Sequence, residues 1–236
     1  MTVARTVHVV APNRAGAFPT LAEAIVAAHD GDLIQVQPGK YVGSLIITKS
    51  LEIVGVGAHE DIELSTERDE LISSTARNLI LTNLSFKGKV RTQPVIHVTA
   101  GNLDIKYSAI EGGKYSICAE SGTRIAATSC YLADSERGAI CAKGSLDVLL
   151  DNSLIERCGG SGLICENCQE VRVTHCTIND TTPHAVECTG NGLFEVVDTE
   201  FASITHAQIL DNFKPVKFQG EERSWYTRRQ PADGEA

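Results

Sequence analysis

The sequence predicts an all-β solenoid with an N-terminal capping α-helix, and three observations predict it. Apolar residues between Leu103 and Asp211 recur every twenty-three positions. Leu132, Ile155, Ile178 and Phe201 form one ladder; Ile125, Val148, Val171 and Phe194 a second; Ala127, Leu150, Val173 and Val196 a third; Ile140, Leu163, Val186 and Ile209 a fourth. Within one period the spacing is that of strands, as in Val148 and Leu150, then Ile155, then Leu163. A helix-start pattern precedes the first coil. Repeats of this size bury their apolar faces only by stacking on their neighbours. A helical repeat would need runs of about ten or more helix formers, and the ladder region has none.

In chain order, Thr6 to Val10 reads as a short strand and Asn13 to Gly16 as a loop. Pro19-Thr20-Leu21-Ala22-Glu23 is a capping box, with Thr20 as N-cap and Glu23 three residues on. Leu21, Ala24, Ile25 and Ala28 follow at helical spacing, and Asp30-Gly31-Asp32 ends the helix. Residues 19–29 are expected to cover the open end of the solenoid, whose first coil would otherwise expose its edge and core. Each later coil is expected to hold three strands. Asn152-Ser153 forms the corner between the first two, and Gly159, Gly160 and Gly162 lie in the longer turn before the third.

The stretch Leu33 to Gly57 carries D-G-D-x-I-x-V-x-P-G-x-Y from Asp30 to Tyr41, an I-x-x-K strand ending at Lys49, and L-x-I-x-G-x-G from Leu51. With the A-I-x-x-A cap helix before it, this order resembles the start of right-handed parallel β-helix proteins of the pectin-lyase-like superfamily. Val148 to Ile155 looks like that family's generic coil, and the likeness covers residues 19 to 211. It implies a right-handed parallel β-helix of seven to eight coils over residues 1–212. Residues 213–236 would then be a C-terminal cap, with Val216, Phe218, Trp225 and Tyr226 folding back as a lid, or a flexible tail. The likeness to pectin methylesterases stops at the cap. No Q-A-V-A, G-x-x-D-F-I-F-G or paired-Asp counterpart follows, so esterase activity is not expected.

The formal charge of −9 and pI near 5.3, with no basic run longer than Arg228-Arg229, argue against nucleic acid and disfavour polyanionic sugars. No segment approaches the apolar length of a membrane span, and residues 1–6 lack a secretory leader's charged and apolar regions. No membrane association and a cytoplasmic location are the expectation. The eight cysteines then read as small core residues or free thiols.

In enzymes that resemble this chain, the site lies on the outer face of the strand after the long turn. Here that strand is residues 116–120, 139–143, 162–166, 185–189 and 208–212. Ile117, Ile140, Leu163, Val186 and Ile209 point inward, so Cys118, Cys141, Ile164, Glu187 and Leu210 point outward. This largely apolar strip favours a non-enzymatic binding or scaffold module that docks a protein partner, a second copy or its own C-terminal segment. Cys118 and Cys141, on adjacent rungs, suit either two free thiols or a disulfide.

The alternative is a carbohydrate-active or related enzyme working on a small or neutral substrate. Its candidates are Lys143, Glu166, Glu187, Asp180 and His184. Glu120, Lys143 and Glu166 fall on successive rungs as a charge-alternating ladder. Ser129, Asn152, His175 and Asp198 share one outward corner at the same spacing, and a His175–Asp198 bond would be the base-orienting half of a triad. Asp180, His184 and His206 fall in the long turns, where they could bind a metal or do acid–base work, although a solvated rim explains them equally. Cys165-x-x-Cys168 lacks the second pair of a zinc finger, and Cys165, Cys130 and Cys176 belong to inward ladders. No metal or cofactor is expected.

Overall fold

The computed structural model describes residues 5–203 and, beyond them, the backbone of the strands Ile209–Asp211, Val216–Gln219 and Tyr226–Arg228. Three parallel sheets of ten, eight and nine strands run side by side. One coil contributes Asp147–Asp151 to the first sheet, Leu154–Cys158 to the second and Leu163–Glu166 to the third. The twenty-three-residue ladders are the register itself. Ile125, Val148, Val171 and Phe194 are successive partners in the first sheet, and Ile140, Leu163 and Val186 in the third. All of them are buried, so every inward position stacks on its own kind from rung to rung.

The solenoid has about nine turns, more than the seven to eight expected. Val7–Val10 pairs with Leu33–Val36 and so belongs to the first sheet rather than preceding it. Val216–Gln219 and Tyr226–Arg228 continue the first and third sheets beyond the point where the apolar ladder fades. The side chains on which a lid of Val216, Phe218, Trp225 and Tyr226 would depend lie outside the described residues.

The cap helix spans Leu21–Ala27, shorter at both ends than the expected 19–29. Thr20 Oγ accepts the Glu23 backbone N–H at 3.2 Å, which satisfies one of the donors orphaned at the helix start. Leu21, Ala24 and Ile25 are buried against the first coil. At the other end Lys49 Nζ donates to the carbonyls of Ile25, Val26 and Ala28 at 3.0, 2.9 and 2.6 Å, a cation placed where the helix dipole is negative.

Between the first two sheets the chain turns through one left-handed residue per rung. These are Asn83, Tyr107, Ser129, Asn152, His175 and Asp198, with φ between 44° and 59°. The next residue points inward. Ser108 Oγ accepts from Leu84 N, Ser153 Oγ from Cys130 N, and Thr199 Oγ1 from Cys176 N, so each small side chain satisfies a turn N–H of the rung before it. Burial pushes the thiols of Cys130 and Cys176 up to about 11, which keeps them neutral core groups near pH 7.

Candidate functional site

The third sheet lies between the long turn and a short turn, and its outer face carries the richest chemistry on the described surface. Down one column the register runs Ser73, His97, Cys118, Cys141, Ile164, Glu187, and the backbone of Leu210 continues it. A second column, two residues further along each strand, runs Lys143, Glu166, Thr189. Inward neighbours such as Ile96, Ile117, Ala119, Ile140 and Leu163 are wholly buried, so the outward groups stand on a rigid base.

Lys143 Nζ meets Glu166 Oε2 at 3.2 Å, which bears out the charge-alternating geometry for that pair and raises the Lys143 ammonium's pKa. Glu120 pairs not with Lys143 but with His97, at 3.1 Å from Nε2. Glu70 stands 3.9 Å from His97 Nδ1 on the opposite side of the ring. Ser161 Oγ donates to Glu187 Oε2 at 3.4 Å. His97, Cys118 and Glu120 thus converge, with one donor atom of each within 4.8 Å of the others, and such a set could hold a metal ion.

All eight cysteines are free thiols, so Cys118 and Cys141 form no disulfide. The interaction between the two neighbouring thiols pushes the Cys118 thiol up, with burial adding to it, and lowers Cys141. Cys141 is only 2% exposed despite its outward register, and Cys118, Ile164 and Glu187 are half-buried. The expected apolar strip is therefore narrower than its sequence positions imply. The Leu210 side chain lies outside the described residues.

Other candidates separate. His175 Nδ1 bonds Asp151 Oδ1 at 3.1 Å while Asp198 is 3.8 Å from Nε2, so the carboxylate that holds the ring comes from the preceding rung and not from Asp198 on the following one. Ser129 instead accepts from Asn152 Nδ2 at 3.0 Å. A groove of about 510 Å³ follows this corner past Tyr107, Tyr131, Asn152 and His175. Its bonded polar groups suit contact more than bond breaking. In the long turns Arg157 is held by Asp134, Glu156 and the Tyr131 hydroxyl. The His184 carbonyl accepts from Thr181 Oγ1 at 3.0 Å, and His206 lies outside the described residues. Cys165 and Cys168 are buried.

His97 and Glu70 are the site residues that ladder arithmetic misses. The steps from Ser73 to His97 and from His97 to Cys118 are 24 and 21 residues, so a period of twenty-three passes them by. A signal existed in Val95-Ile96-His97-Val98, a strand-like run with a titratable group at an outward position.

Residues 72–218 match the family model described as "Right handed beta helix region". No curated protein sequence matches the chain. Among solved structures, a mutant pectin methylesterase in complex with a hexasaccharide superposes with a TM-score of 0.63 at 12% identity, over 98% of this chain and 94% of that one. Pectin methylesterase PemA from Erwinia chrysanthemi gives 0.59 at 10% identity over the same shares. The catalytic unit of a GH87 α-1,3-glucanase from Streptomyces thermodiastaticus gives 0.53 at 13% identity, over 80% of this chain and 38% of that one. At these identities the likeness is one of fold.

Proposed function

Since this chain belongs to the right-handed β-helix family, we propose that it is a carbohydrate-active enzyme that hydrolyses a neutral saccharide laid along the outer face of the third sheet. The observation that carries the reading is the placement of Glu166 and Glu187 on adjacent rungs, offset by two residues, because Ile164 pairs with Glu187 and Glu166 with Thr189. Strand geometry sets their Cα atoms roughly 8 Å apart on one face, and side chains rising in parallel from that face carry their carboxyl groups at a comparable spacing. Two carboxylates that leave room for a water between them and the scissile bond, at about 6.5–9.5 Å, are the apparatus of inverting glycoside hydrolysis.

Glu166, on the solvent-facing flank beside Lys143, takes a proton from the attacking water. Glu187, half-buried beside Ser161, gives its proton to the leaving oxygen. The water oxygen bonds to the anomeric carbon as the glycosidic C–O bond breaks, and the two carboxyl groups exchange protonation states, to be reset by solvent. Glu70, Glu120, Glu166 and Glu187 on the same face would repel a polyuronate, which is why the substrate is placed among neutral sugars. A hexasaccharide-bound pectin methylesterase and a glucanase among the structural neighbours support a saccharide as the occupant of such a fold. Glu166→Gln and Glu187→Gln are each expected to lower turnover of neutral oligosaccharides by about 10²–10⁴-fold with the fold intact by circular dichroism. Unchanged turnover in both would remove them from the mechanism.

A further inference from the structure

We infer that His97, Cys118 and Glu120 form a binding site for one divalent ion of zinc type, separate from the carboxylate pair. One donor atom of each residue lies within 4.8 Å of the others, close enough for a single ion to reach all three. The register builds this geometry. His97 and Cys118 are direct partners on adjacent strands, and Glu120 follows Cys118 by two residues, so all three project from the same side of one rigid patch. Ile96, Val98, Ile117 and Ala119 anchor it from below, each wholly buried.

The donor chemistry selects the metal. Imidazole nitrogen, thiolate sulfur and carboxylate oxygen together suit a borderline ion such as Zn²⁺. Calcium and magnesium demand shells of oxygen and would leave the sulfur unused. Two of the three donors are not carboxylates, which distinguishes the patch from an ordinary acidic surface. Glu70 adds an independent mark. Its Oε1 stands 3.9 Å from His97 Nδ1, on the far side of the ring from the nitrogen that faces Glu120. That is where a carboxylate backs a metal-bound imidazole.

Of the eight thiols Cys118 is the one not buried, so it is the sulfur an entering ion meets. On binding, Cys118 releases its proton to solvent and Sγ takes the ion. Three protein donors leave a fourth position for water or a ligand, the arrangement of open rather than closed zinc sites. Glu120 lies two rungs from Glu166, roughly 10 Å away, so the site does not depend on how the carboxylate pair acts.

The test is cobalt titration of the full chain after chelator treatment, followed by zinc competition. One Co²⁺ per chain is expected, with a thiolate-to-cobalt charge-transfer band that Zn²⁺ abolishes. Cys118→Ser should lose the band, His97→Gln should lose tight binding, and Glu70→Gln should weaken it by about 10–100-fold. A wild-type chain that takes up no cobalt or shows no charge-transfer band overturns the inference without reference to any variant. Folded Cys118→Ser or His97→Gln with the wild-type spectrum and stoichiometry overturns it as well.

Discussion

Asp32 ties three parts of the chain together with one carboxylate. It accepts the backbone N–H of Thr6 at 3.0 Å and of His29 at 2.8 Å, and bonds His8 Nε2 at 2.9 Å, which joins the first strand, the end of the cap and the second strand. The His29 N–H, then His8 and the Thr6 N–H, hold its carboxyl far below the ordinary carboxylate range, outweighing the partial burial that opposes them. Asp134, under the Arg157 guanidinium, and Asp151, bonded by Thr174 and His175, shift in the same direction. A carboxyl whose folded pKa is depressed contributes stability that is present above its unfolded pKa of about 3.9 and is lost as pH falls through the folded value. The midpoint of thermal unfolding should therefore fall progressively below about pH 4. Asp32→Asn should lower it at neutral pH and flatten the acid limb, as melting curves across pH would register. In the sequence Asp32 is legible only as a helix stop, because two of its three partners, His8 and Thr6, lie 24 and 26 positions away in a segment whose pairing no local pattern announces.

The corner and the long turn are the elements whose geometry is least forgiving. Asn152 sits at φ 47° in the left-handed column, and its amide reaches Ser129 on the rung before. Asparagine tolerates that conformation, whereas a β-branched side chain does not, so Asn152→Val should destabilise by about 1–2 kcal/mol and Asn152→Gly by less. Urea unfolding of the two variants compares them directly. In the long turn, a Cβ on Gly160 would lie 1.6 Å from the Arg137 carbonyl oxygen, a backbone atom of the rung below. Gly160→Ala should thus cost more than either corner variant, since the stacked turns must part to admit a methyl group. The twenty-three-residue ladders made these elements legible, because an inward position at strand spacing admits few alternatives. The corner column was legible from Ser129 to Asp198 and not at Asn83 or Tyr107, where the steps between rungs are 24 and 22 residues. His97 and Glu70 escaped for the same reason. Periodicity reveals what regular rungs share: Cys118 and Glu120 lie on the ladder, whereas His97, the donor that completes the set, sits where the rungs are irregular.

For the molecule as a whole, the solenoid turns a linear repeat into a flat, rigid face on which outward groups recur about every 4.8 Å. Function then depends on which side chains those rungs present, not on the fold, which hosts many chemistries. The outward positions of Glu166 and Glu187 were legible from the ladders. Their diagonal relation emerged only once Ile164 was seen to pair with Glu187, since each residue alone is one acidic group on a solvated edge. The central claim is that this pair flanks a scissile glycosidic bond with room for a water. The measurement that tests it most directly is proton NMR of the anomer first released when the wild-type chain is incubated with a panel of neutral oligosaccharides. Inversion at the anomeric carbon is the predicted result, with Glu166→Gln and Glu187→Gln both slow. Retention of configuration, or no product from any neutral sugar, would contradict it.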